Sequence, residues 1–165
     1  MSGPSLFLGL RGPVLRGWAV ILQVQPCDLS PTYLSLDPIG PGRQLYRKHF
    51  LDLGGLGVRD VRCDGDDLLV LAGPTMDLDG RVLLYRWKGG ARVKKETVVE
   101  RSRLKVALDF PLDDRRRPDH DHPEGLCALP SSGDTPAGWL VVYDAPDPAR
   151  MPNKRTVIAD LFPTR

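Results

Sequence analysis

Residues 57–87 read GVRDVRCDGDDLLVLAGPTMDLDGRVLLYRW, and the fold of the whole chain is read from this stretch. Val58–Cys63 alternates in polarity, Leu68–Ala72 is continuously apolar, and Val82–Trp87 is a second apolar run ending on an aromatic. Runs of this length bounded by Asp and Gly predict strands. The clusters Asp64-Gly65-Asp66-Asp67 and Asp77-Leu78-Asp79-Gly80 predict the turns between them: Asp side chains accept local backbone N–H groups, and Gly supplies positive φ. The stretch is therefore a meander of three or four antiparallel strands.

Composition extends that reading to the rest of the 165 residues. The acidic residues are eighteen Asp and three Glu, and the chain has seventeen Gly and sixteen Pro against nine Ala. Asp, Gly and Pro favour turns, whereas helices want Ala, Glu and Lys. The expectation is an all-β chain of many short strands. A net charge of +2 lacks the concentrated basic footprint of a nucleic-acid binder. The densest basic groups, Lys94-Lys95 and Arg115-Arg116-Arg117, read as solvated loops, the second directly behind Asp113-Asp114. No apolar run approaches the length of a membrane span. Cys27, Cys63 and Cys127 have no metal-type spacing and are odd in number, which suits a reducing cytoplasm. Cys63 and Cys127 fall inside strand-like runs and are expected to be buried. Trp18, Trp87 and Trp139 are expected to pack between sheets.

Leu69–Pro74 followed by Gly80–Trp87 has a counterpart in Leu8–Pro13 followed by Gly17–Val24. Each copy is an apolar strand, Gly-Pro, a short loop, Gly and another apolar strand. A looser third copy comprises His122–Leu129, Trp139–Pro146 and Thr156–Leu161. Tyr46–Leu53 and Val93–Val99 suit exposed outer strands of the blades that precede them, and Pro38–Gly42, Ser131–Gly138 and Ala145–Asn153 are connectors. Degenerate repeats of several strands each predict propeller blades. The expected architecture is a single partial propeller-like array of about three blades, at 1–54, 55–108 and 119–165. The first copy has no innermost strand, and a closed propeller needs about four to eight blades. The chain thus reads as the C-terminal portion of a longer protein, or as one that self-associates through open blade edges.

The densest polar group is Asp119-His120-Asp121-His122-Pro123-Glu124. On an extended strand His120 and His122 would face the same way. With Asp60 and Glu124 they would make a ligand set for a divalent cation, calcium or zinc. The Asp-rich turns at 64–67 and 77–79 lack the full calcium-loop pattern and read as plain turns. Superposing Arg59-Asp60-Val61 on Glu124-Gly125-Leu126 places Arg59 and Glu124 at equivalent positions on innermost strands of adjacent blades. The two would meet, either as a structural ion pair or as part of a ligand site with Arg11 and Asp60 nearby. No Gly-x-Ser-x-Gly elbow and no phosphate loop leading into a helix is present.

Leu8–Pro13, Gly57–Val61, Leu71–Asp77 and His122–Leu126, in that order, resemble a bacterial family of uncharacterised proteins, domain of unknown function 3616. The likeness runs from Leu6 to Tyr143. It implies a β-propeller-like fold in longer chains, with a Glu-Gly-Leu-type strand ahead of the first Gly-Pro, and it supplies no catalytic residues. Two function classes follow. One is a module that binds a small molecule or a protein where the inner-strand loops converge. The other is a metal-assisted hydrolase of phosphoesterase or lactonase type, using Asp60, His120, His122 and Glu124.

Overall fold

The computed structural model describes residues 4–29, 32–75, 80–110, 120–129 and 138–163. Thirteen strands are present among them. They are β1 (Leu6–Gly9), β2 (Trp18–Val24), β3 (Pro26–Leu29), β4 (Leu34–Leu36), β5 (Tyr46–Asp52), β6 (Gly57–Asp64) and β7 (Asp67–Gly73). After these come β8 (Leu83–Trp87), β9 (Thr97–Val99), β10 (Leu104–Asp109), β11 (His122–Leu129), β12 (Gly138–Asp144) and β13 (Asp160–Pro163). The first sheet runs β1-β2-β5-β9, the second β10-β8-β7-β6 and the third β11-β12-β13, while β3 and β4 pair separately. No described helix is long and apolar enough to cross a membrane.

Strand β7 explains why Leu68–Ala72 is apolar at every position. Leu68, Val70 and Ala72 pack toward the first sheet, in a core with Ala19, Ile21 and Leu51. Leu69 and Leu71 pack toward the third, in a core with Leu126, Trp139, Val141 and Tyr143. Successive side chains of a strand point to opposite faces, so a strand covered on both sides has no polar positions to spare. The second sheet is thus sandwiched between its neighbours, and the whole is an all-β, propeller-like array of open sheets. Each fully buried Leu contributes about 2 kcal/mol of transfer free energy.

The Gly57–Trp87 meander forms as its residues predict. Gly65, at φ 59°, occupies the two-residue turn between β6 and β7. The neighbouring carboxylates are taken up across the sheet. Arg86 donates to Asp64 at 2.6 Å and to Asp67 at 2.9 Å, and Asp67 also accepts the Gly89 N–H at 2.8 Å. The Gly89 N–H and Arg86 together hold the Asp67 carboxyl below its usual range. Asp77 and Asp79 lie outside the described residues, as do Arg115-Arg116-Arg117, Asp113-Asp114 and most of the Ser131–Gly138 connector.

Several boundaries differ from expectation. Tyr46–Leu53 is not an exposed outer strand: His49 and Leu51 on β5 are fully buried because they face the second sheet, and β9 pairs outside β5. Within Val93–Val99 only Thr97–Val99 is strand, and it joins the first sheet, parallel to β5. The outer strand of the second sheet is instead β10, antiparallel to β8. The last strand begins at Asp160 rather than Thr156. The first sheet has no counterpart of β6 and β11 among the described residues, and β1 is its innermost strand. Trp87 and Trp139 are core residues, but Trp18 is only half-buried. Cys27, Cys63 and Cys127 are all exposed, contrary to the burial expected of Cys63 and Cys127. Cys127 follows the buried Leu126 and so faces the other way, and β6 is buried at its Gly57 end but open at Cys63.

One side chain ties the connector after β12 to the third sheet. Arg150 donates through Nε to Asp121 at 2.8 Å, through Nη1 and Nη2 to Asp160 at 2.9 and 2.8 Å, and lies 4.2 Å over the Tyr143 ring. Asp160 and Asp121 together raise its pKa against the effect of burial. Arg150→Ala is expected to destabilise the chain by about 2 kcal/mol, read as a lower urea midpoint at unchanged slope. Arg150→Lys should recover less than half of the loss, since an ammonium cannot reproduce the planar fork.

Candidate functional site

The inner strands β6 and β11 carry the same irregularity at the same place. In β6 the pairing with β7 slips between Val58 and Asp60, leaving Arg59 as the extra residue. In β11 the pairing with β12 slips between Pro123 and Gly125, leaving Glu124 as the extra residue. A bulge bends its strand and re-aims the extra side chain. Arg59 and Glu124 are those two side chains, and they meet across the junction of the second and third sheets in an ion pair through Arg59 Nη1 and Glu124 Oε1.

The rest of the cluster follows from close backbone approaches. Arg59 lies directly over Gly73, where any Cβ would overlap its Nε. Its Nη2 donates to the Pro74 carbonyl at 3.1 Å, and its Nε is buried with no hydrogen-bond partner. Gly57 admits the Arg11 carbonyl in the same manner, which brings the Arg11 backbone against the start of β6. From there Arg11 Nη1 lies 3.2 Å from the same Glu124 oxygen. Side-chain exposure grades from 2% for Arg59 through 25% for Glu124 to 47% for Arg11. Burial pulls the Arg59 pKa below its usual value, with Glu124 and, more weakly, Asp144 opposing and Arg11 adding to the shift. Arg59 nevertheless stays a cation, as arginine does throughout proteins.

Asp60 is a joint between sheets. One carboxylate oxygen accepts the Leu126 N–H of β11 at 2.8 Å and Arg62 Nε at 3.2 Å, and the other accepts the Val61 N–H at 2.8 Å. It thus satisfies a backbone donor of the neighbouring inner strand that would otherwise have no acceptor there.

The four residues expected to hold a cation are not assembled into a ligand set. Among the described residues no three His, Cys, Asp or Glu side chains are grouped to hold a metal ion. Three physical reasons account for this. Asp121 has φ 57°, so the backbone turns between His120 and His122 and the strand alternation that would align their rings is broken. His122 opens β11 opposite Asp144, while His120 precedes the strand. Glu124 is engaged by two arginines and Asp60 by two backbone N–H groups. Asp119 lies outside the described residues. The buried member of this polar stretch is Asp121, 7% exposed, which accepts the Asp147 N–H at 2.8 Å besides Arg150. Arg150 and Asp160 were not singled out by the sequence, because nothing local marks three separated residues as one clasp.

A propeller-like array of sheets with an arginine–carboxylate cluster at the ends of its inner strands defines the class of protein. The chain belongs to the family described as protein of unknown function (DUF3616), whose model matches residues 1–160. No curated protein and no solved structure matches it.

Proposed function

We propose that the protein is a binding module that takes a small anion, a carboxylate or a phosphate, at the opening formed by Arg11, Arg59 and Glu124. The observation that carries this reading is the sharing of one carboxylate by two guanidiniums, one buried and one half-exposed. Arg59 is held in place by Gly73, Pro74 and Glu124 and has no freedom to reach a ligand. Glu124 then orients Arg11 from behind, and the remaining Arg11 donors face outward with no partner among the described residues. A guanidinium fixed on one side offers its free edge to a planar or tetrahedral anion at reduced entropic cost. Hydrolysis assisted by a cation is not favoured by any particular observation, since both carboxylates it would use are already engaged.

The test is isothermal titration calorimetry with inorganic phosphate, citrate and glucose 6-phosphate, with glucose as the neutral control. Saturable binding is expected for at least one anion and none for glucose. Arg11→Gln should weaken that binding by about tenfold or more, the value of one hydrogen bond to a charged group. No saturable heat with any of the three anions, or equal affinity in Arg11→Gln, overturns the reading.

A further inference from the structure

Exposed large apolar side chains are distributed unevenly. Of thirteen among the described residues, seven belong to the first sheet and its connections, five to the third sheet and its connections, and only Val106 to the second. Strand alternation shows where they point. On the first sheet Ala19, Ile21, Leu51 and Val99 face the second sheet, so Leu8 and Val98, 50% and 56% exposed, lie on the opposite face. On the third sheet Trp139, Val141 and Tyr143 face the second, so Val142 and Leu161, 49% and 54% exposed, lie on the opposite face. Both end sheets are therefore apolar on two sides, which is the pattern of the middle sheet, and the middle sheet is covered on two sides. On the outer face of the first sheet Val20 and Val24 are already covered, while Leu8 and Val98 on its two edge strands are open, and exposed apolar surface of this kind marks an interaction site.

The two end faces also differ from each other in a complementary way. The outer face of the first sheet holds a groove of about 540 Å³ lined by Val14, Leu15, Arg16, Trp18, Phe50 and Val98. Arg16, at φ 52° and followed by Gly17 at φ 90°, has no ion-pair partner among the described residues. The outer face of the third sheet carries Val142 and the exposed Asp144, whose carboxylate accepts the Ala145 N–H and lies within electrostatic reach of Arg59, with no ion-pair contact at salt-bridge distance among the described residues. Arg16 precedes β2 and Asp144 ends β12, at the same end of the strands as the Arg11–Glu124 contact.

We infer that two copies of this chain associate through these faces, the first sheet of each packing on the third sheet of the other. The two junctions are equivalent by a two-fold axis, as closed dimers require. Each continues the sheet-on-sheet packing that already joins the first sheet to the second and the second to the third. Three sheets from each copy make six, within the range that closes a propeller ring. Arg16 of one copy then pairs with Asp144 of the other at each junction, and the groove beside Trp18 receives the Val142 face.

Light scattering coupled to size-exclusion chromatography of the purified chain decides the matter. The expected result is a mass twice 18.2 kDa at micromolar concentration. Val98→Asp and Val142→Asp, one on each face, should each give monomer with an unchanged far-ultraviolet circular dichroism spectrum. If Val98→Asp does not fold, Leu8→Lys tests the same face. Arg16→Asp should weaken association by about tenfold or more, and adding Asp144→Arg should restore it. A monomer throughout the micromolar range overturns the inference, and so does a dimer that survives both Val98→Asp and Val142→Asp.

Discussion

Glu124→Ala is expected to destabilise the protein by about 3 kcal/mol, more than truncation of a surface carboxylate would. The loss comes from what remains behind. Arg59 is 2% exposed, cannot leave its seat over Gly73, and would keep a buried charge with the Pro74 carbonyl as its remaining hydrogen-bond acceptor and Asp144 as a more distant carboxylate. Arg11 would stay close by and repel it. The 25% exposure of Glu124 keeps the expected cost at the lower end of the range for breaking a buried pair. Thermal unfolding should move down by about 10 °C for a chain of this size. The reciprocal change is the control. Arg59→Met removes the buried charge and leaves Glu124 with the more exposed Arg11, so the double variant Arg59→Met/Glu124→Leu should regain at least half of the loss. A double variant no more stable than Glu124→Ala alone would mean that the pair is valuable for its packing and not for its charge balance.

That this pair was legible before any coordinates has a physical reason. Strands β6 and β11 carry an extra residue at the same place, and that irregularity sends both side chains toward the same junction. Aligning Arg59 with Glu124 therefore located a contact between residues 65 apart in sequence. The meander, the two-sided burial of β7 and the turn at Gly65 were legible because periodicity and turn chemistry are local.

What escaped the sequence is non-local in each case. β9 gives no sign that it pairs parallel with β5 nearly fifty residues earlier, and its three residues carry too little pattern to choose a partner. β10 reads as a run of mixed polarity because four of its six residues are exposed. The imidazole pair failed on a single dihedral, since an Asp is among the few residues that enter the left-handed region readily and Asp121 does. Free thiols gave no warning either: a cysteine has the same identity on the covered and the uncovered half of an inner strand.

The buried imidazole of His49 sets the second large effect, a loss of stability in mild acid. His49 is fully buried on β5, edge-on to Trp87 with ring centroids 5.5 Å apart. Its Nε2 lies 3.3 Å from Gln23 Oε1, an acceptor, so the ring is the Nε2–H tautomer. Nδ1 is buried with no hydrogen-bond partner. Protonation would place an unsatisfied N–H and a full charge in the core, beside the cation of Arg47 and with only Glu96 favouring it. Burial first and Arg47 second lower the pKa from 6.5 to about 4. In the unfolded chain the same histidine takes up a proton near 6.5, so below that pH the unfolded state binds the extra proton and the native state does not. Stability therefore falls as pH drops from 6.5 toward 4 and then levels, for a total of about 3 kcal/mol from this residue. Carboxylates titrate over part of the same interval, and comparison with His49→Leu removes their contribution. Urea unfolding of both proteins at several pH values between 7 and 4 should show the advantage of the wild type over the variant shrinking steadily through that window. Parallel profiles would show that His49 titrates alike in the folded and unfolded states, and that the core tolerates the charge.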